Sequence, residues 1–117
     1  MQDYKKLDIW KRSIALVKSI YKLCHQLPKN EEYGLSSQMK RCAISIPSNI
    51  AEGASRTSKK DFNRFLEISL GSAFELETQL MLVKELGMIN RDLIRHQIDD
   101  ITILRKMLYS FMQKVKP

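Results

Sequence analysis

Structure breakers are scarce in this 117-residue chain, which has three prolines and four glycines. A sandwich or barrel needs a turn every 8–12 residues or so, and that many turns demand more of both residues. No apolar run approaches the roughly 20 residues that a membrane span requires. The first residues, MQDYKKLDIW, hold neither an apolar h-region nor a cleavage site, so no secretory signal is expected and no membrane partner. Cysteine is limited to Cys24 and Cys42 and histidine to His25 and His96. Both cysteines fall in apolar patterns, which predicts reduced core thiols and a cytoplasmic protein. Four such residues without tight spacing give no zinc site. Neither histidine has a glutamate three positions before it, which excludes the Glu-x-x-His pairs of a di-iron bundle. A Walker loop, a dinucleotide glycine fingerprint and a nucleophile elbow are missing too, so no catalytic residue, cofactor or metal is assigned.

What the chain does have is helical periodicity. Leu7, Trp10, Ile14, Val17, Tyr21 and Cys24 recur at spacings of three and four, with Ile9, Leu16, Ile20, Leu23 and Leu27 as a second stripe beside them. Pro28 ends this helix, because the residue before a proline avoids the helical region. Leu35, Met39, Cys42, Ile46 and Ile50 mark a second helix, with a kink expected at Pro47. Ser58 is the N-cap of a third, whose seam is Leu66, Ser69, Ala73, Leu76, Leu80 and Val83. Leu70, Phe74 and Met81 fall beside that seam. Gly87 closes this helix, and Asn90 opens a fourth through Ile94, Ile101, Leu104, Leu108, Phe111 and Val115. The expected helices are therefore about 7–26, 35–54, 59–86 and 91–115, within one domain spanning 1–117. Short connections between long helices predict an all-α, antiparallel up-down-up-down four-helix bundle. Ile103, Met107, Met112 and the off-seam residues exceed what one seam needs. They serve either a broad monomer core or a contact with another subunit.

The net charge is +7, and residues 1–64 hold 13 Lys and Arg against 6 Asp and Glu, while residues 65–117 hold 7 of each. Such asymmetry points to a polyanionic partner. Lys5, Lys6, Lys11 and Arg12 begin the first helix. Lys40 and Arg41 lie on the second, and Arg56, Lys59, Lys60 and Arg64 surround the turn into the third. An antiparallel bundle puts the first and last of these groups at one end, where gathered cations bind RNA or DNA phosphates with little sequence preference. The candidate nucleic-acid contacts are Arg12, Lys40, Arg41, Arg56, Lys59, Lys60 and Arg64. Ordinary solvation of helix ends accounts for the same residues. One further spacing, Arg91 followed by His96, resembles the Arg-x(4–6)-His pattern of HEPN-type ribonucleases, in which histidine moves a proton and arginine holds a phosphate. In a chain with seven arginines the pattern arises easily.

Three stretches carry a family resemblance. They are Tyr33-Gly34-Leu35-Ser36-Ser37-Gln38-Met39-Lys40-Arg41, then Ser45-Ile46-Pro47-Ser48-Asn49-Ile50-Ala51-Glu52-Gly53, then Phe65-Leu66 with Gly71-Ser72 and Glu75-Leu76-Glu77-Thr78-Gln79-Leu80. Together they resemble the four-helix bundle proteins named after intervening sequences of bacterial 23S ribosomal RNA genes, the S23 or IVS-protein family. Ser55 departs from the pattern, where the family often has glycine. The resemblance implies a ring-shaped homopentamer of antiparallel bundles without enzymatic activity. It also implies kinship with the accessory proteins of diversity-generating retroelements, which bind nucleic acid and partner a reverse transcriptase. The family's cellular role is largely unassigned. The functional expectation is a non-enzymatic, homo-oligomeric nucleic-acid-binding or assembly module, with a protein-interaction scaffold as the alternative and a ribonuclease as the remote one.

Overall fold

The computed structural model describes residues 2–117. Four helices follow one another: α1 (Asp8–Cys24), α2 (Leu35–Ala54), α3 (Lys59–Glu85) and α4 (Arg91–Val115). Single 3-10 turns at Tyr4–Lys6 and Lys29–Glu31 precede α1 and α2. The helices touch in cyclic order, α1 to α2 to α3 to α4 and back to α1, while the backbones of diagonal pairs stay apart. The result is an elongated four-helix bundle of 44 × 23 × 20 Å.

Local chemistry sets the helix ends. Ser58 Oγ accepts the amide of Asp61 at 3.1 Å, and Asn90 Oδ1 accepts that of Asp92 at 2.8 Å. Each satisfies a donor that the first helical turn leaves orphaned. Gly87 lies at φ 66°, and the amides of Gly87 and Met88 bond back to Lys84 and Val83, which closes α3 with a left-handed cap. Helix α1 ends two residues earlier than its apolar spacing predicts. Ahead of Pro28 the amides of His25, Gln26 and Leu27 bond three residues back instead of four, so the last turn tightens. Ser55, where a glycine was the family's habit, sits at φ −77°, a conformation open to any residue.

Helix α2 runs unbroken through Pro47, which is buried. The proline removes one ladder bond, and its neighbours bring side-chain donors to the same stretch. Ser69 Oγ donates to the Ile46 carbonyl at 2.9 Å, and Asn49 Nδ2 donates to the Ser45 carbonyl at 2.8 Å. At the end of α2, Gly53 lets α3 come close, because a Cβ there would lie 2.8 Å from Phe65 Cβ.

The core holds the predicted seams of α2 and α3 almost in full. In α1 the second stripe meets the core, together with Cys24 of the first. Ile9, Leu16, Ile20, Leu23 and Leu27 are buried, whereas Leu7, Trp10, Ile14 and Val17 are half-buried and Tyr21 is exposed. Adjacent stripes of equal hydropathy do not reveal which one meets the bundle axis; packing against α2 and α4 decides. Met112 of α4, which fell outside the expected seam, is buried. Leu70 is half-buried, and Ile44, Ile68, Phe74, Leu82 and Tyr109 stay exposed outside the core.

Candidate nucleic-acid interface

The antiparallel order brings the start of α1, the α2–α3 turn and the end of α4 to one pole. The Gln2 amide donates to the Ala54 carbonyl at 2.9 Å, which ties the first residues to the end of α2. Between α1 and α4 the side chains leave a groove of about 580 Å³, floored by Leu7, Ile9, Ile103, Met107 and Phe111. A second hollow of about 470 Å³ continues it toward the α2–α3 turn, with Phe62 and Val115 in its lining. The two share Phe111 and Lys114 in their walls and adjoin there as a two-part trough. Phe62 and Phe111 meet edge-to-face at 5.8 Å between ring centroids and stiffen the junction.

The rim of the trough is cationic. Lys6, Lys106 and Lys114 line the first part, Arg56, Lys59 and Lys114 the second, and Asp8 is the one acid among the lining residues. Five like charges around a partly apolar wall raise the local positive potential above that of a scattered surface. Arg56 is also anchored. Its guanidinium lies over the Phe65 ring at 4.9 Å and 3.8 Å from Glu52.

The seven expected contacts do not form one cluster. Arg56 and Lys59 line the trough. Lys60 and Arg64 are exposed on the first two turns of α3, near it but outside its lining. Arg12 lies on α1 at 4.0 Å from Asp100 of α4. Lys40 is held over the Tyr21 ring at 4.9 Å. Lys40 and Arg41 lie near the opposite end of α2, about 20 Å from the pole at 1.5 Å of rise per residue. Sequence reasoning missed Lys106 and Lys114, together with Met107 and Phe111. Their signal was available in the topology, since α4 must end where α1 begins.

Arg91 and His96 diverge. Five residues turn a helix through about 140° beyond a full circle. Arg91 shares a surface hollow with Lys84, Arg95 and Asp99. His96 Nε2 instead lies 3.2 Å from Asp100 Oδ2, on the side that meets Arg12. Among the described residues no group of three or more His, Cys, Asp or Glu gathers as metal ligands would. No helix there is long and apolar enough to cross a membrane.

Helical bundles with a cationic pole are the class that this geometry defines. Residues 5–110 match the 23S rRNA-intervening sequence protein family, and the chain belongs to it. A crystal structure of a protein of unknown function from the S23 ribosomal protein family, from Bacteroides thetaiotaomicron, superposes with a TM-score of 0.82. The two are 30% identical over 89% of this chain and 97% of that one. No curated protein matches the chain.

Proposed function

We propose that this chain is a non-enzymatic, homo-oligomeric module that binds RNA or DNA through the phosphate backbone. The carrying observation is the trough, where Lys6, Arg56, Lys59, Lys106 and Lys114 line two adjoining hollows with Asp8 as the one acid in the lining. Phosphates sit on such a rim through counterion release, which favours any nucleic-acid sequence about equally. The apolar floor favours single strands, whose unstacked bases have faces to bury. Self-association is supported by Ile44, Ile68, Phe74, Leu82 and Tyr109, which are exposed apolar side chains that the core does not use. A homopentamer is the assembly we propose on the resemblance, with a reverse transcriptase as the class of enzyme it would accompany.

A salt titration of binding to a labelled single-stranded RNA tests the reading. Five engaged cations give a slope of log affinity against log salt of about −3.5. Negligible binding at low salt, or a slope unchanged by joint charge reversal of Lys59 and Lys114, overturns it. The same trough also suits an acidic amphipathic helix, because its floor is apolar. A protein captured equally well after nuclease treatment would favour that scaffold reading. The divergence of Arg91 and His96 argues against a ribonuclease.

A further inference from the structure

Away from the pole, α2 and α3 flank an open polar niche of about 330 Å³, lined in part by the exposed Arg41 with Cys42 and Ser45 of α2, and by the exposed Glu75 with Ser72 and Gln79 of α3. All six belong to the family-like stretches or lie just beside them, yet only Cys42 among them is part of the apolar core. Their order is internal. Asn49 Nδ2 donates to Ser45 Oγ at 3.0 Å, and Ser45 Oγ lies 2.9 Å from Ser72 Oγ. The Cys42 thiol is 3.0 Å from the Ser72 carbonyl and 3.2 Å from Glu75 Oε2. Burial, followed by the neighbouring Glu75, pushes this thiol up to about 12, so at neutral pH it is a donor. The Ser72 carbonyl is the nearer acceptor for its one proton, so both oxygens of Glu75 keep lone pairs for a ligand.

Gln79 is the exception to this order. It is 7% exposed and its Oε1 has no hydrogen-bond partner. A buried amide without a partner is costly, and rotation about its last bond presents either end to the niche. Glu75 and Gln79 are one helical turn apart and hence neighbours on one face. Arg41 faces them from α2. A fitting ligand therefore brings N–H donors to two acceptors on α3 and an acceptor to Arg41. With one acid and one base in the lining, the ligand's contacting edge is neutral. A guanidinium would meet Arg41 as a like charge, and a phosphate would meet Glu75.

We propose that this niche binds an unpaired guanine base. Guanine carries N1–H and N2–H side by side for the Glu75 carboxylate, a second N2–H for Gln79, and O6 and N7 for Arg41. Adenine and cytosine set a ring acceptor beside their amine, which would face a carboxylate oxygen. Uracil offers a single N–H. A free nucleotide and a single strand both present this base edge.

NMR titration of the full chain with GMP, IMP and UMP tests this. GMP is expected to shift the side-chain amide of Gln79. IMP, which lacks the N2 amine, is expected to bind about tenfold more weakly, in line with the loss of one base contact. UMP is expected to leave the niche unmoved. Glu75→Gln and, separately, Gln79→Met are each expected to remove the GMP preference while the melting curve stays cooperative. Equal responses to GMP and UMP, or GMP shifts confined to Lys59 and Lys114, overturn the proposal. A second arm compares a uridine-rich RNA carrying one guanosine with its inosine and all-uridine counterparts. A guanosine preference assigns a strand as the source. GMP selectivity without it assigns a free nucleotide. Failure of the trough leaves the GMP result intact, so the two readings fail separately.

Discussion

Lys6 and Lys114 lie near opposite ends of the chain and line the same groove. Neither is remarkable in its own stretch of sequence; the fold makes them neighbours. Charge neutralisation should therefore act by position and not by count. Lys6→Gln with Lys114→Gln is expected to lower the salt slope of RNA binding by about 1.4, the share of two phosphate contacts on a single strand. Lys40→Gln is expected to leave it unchanged, because that ammonium sits over Tyr21 far from the pole. Fluorescence anisotropy at several salt concentrations checks both.

Gly53 and Gly71 should respond in opposite directions to the same change. A methyl at Gly53 would lie 2.8 Å from Phe65 Cβ and 3.2 Å from the Phe62 carbonyl. Helices α2 and α3 would have to part, at a cost of about 1–3 kcal/mol. A methyl at Gly71 meets nothing within 4 Å. Since Gly71 is inside α3, Gly71→Ala should stabilise by about 0.5–1 kcal/mol through helix propensity. Thermal melts of the two variants beside the parent chain decide the matter.

Cys42 carries a pH dependence of definite sign. Its folded thiol titrates near 12, against an ordinary value of 9.0, mainly through burial and secondarily through Glu75. Between those values the folded state holds a proton that the unfolded state has released. Stability from this group is thus complete below pH 9 and falls as the pH rises toward 12. Urea unfolding at pH 8 and pH 10.5 should show a larger loss for the parent chain than for Cys42→Ala. Equal losses would mean that the thiol is not linked to folding in this way.

Glu77 and Arg105 tie α3 to α4. Arg105 Nε lies 3.0 and 3.1 Å from the two carboxylate oxygens, Thr102 Oγ1 donates to Glu77 Oε2 at 2.8 Å, and the guanidinium lies over Phe74 at 5.0 Å. Both partners are largely shielded from solvent, so the pair should exceed an open surface bridge. A double-mutant cycle with Glu77→Gln and Arg105→Gln is expected to give a coupling of roughly 1 kcal/mol. A coupling near zero would assign Arg105 to packing on Phe74 alone.

Much of the fold was legible because each helix end carries its own signal. Ser58, Asn90, Gly87 and Pro28 place the boundaries through backbone chemistry that acts within a few residues. The rotation of α1 about its axis was not legible, since two neighbouring stripes offer equal apolar surface and only the other helices choose. At the pole, Arg56 and Lys59 followed from the antiparallel order. Lys106 and Lys114 were hidden by a charge sum, because the acids from Glu67 to Asp100 cancel them in the tally for residues 65–117. Lys40 and Arg41 were counted as contacts by charge alone, although α2 carries them several turns from the pole. The niche escaped because its residues form no spacing motif; they meet only when α2 and α3 are laid side by side.

Gln2 and Val115 line the same hollow beside Arg56 and Lys59. Any polypeptide joined to either terminus is thereby tethered at the mouth of the trough. An affinity tag or fluorescent fusion there would act as a built-in competitor, and an acidic one would mimic the phosphate ligand. A fusion carried instead on the connection between α3 and α4, at the far pole, would leave the trough open.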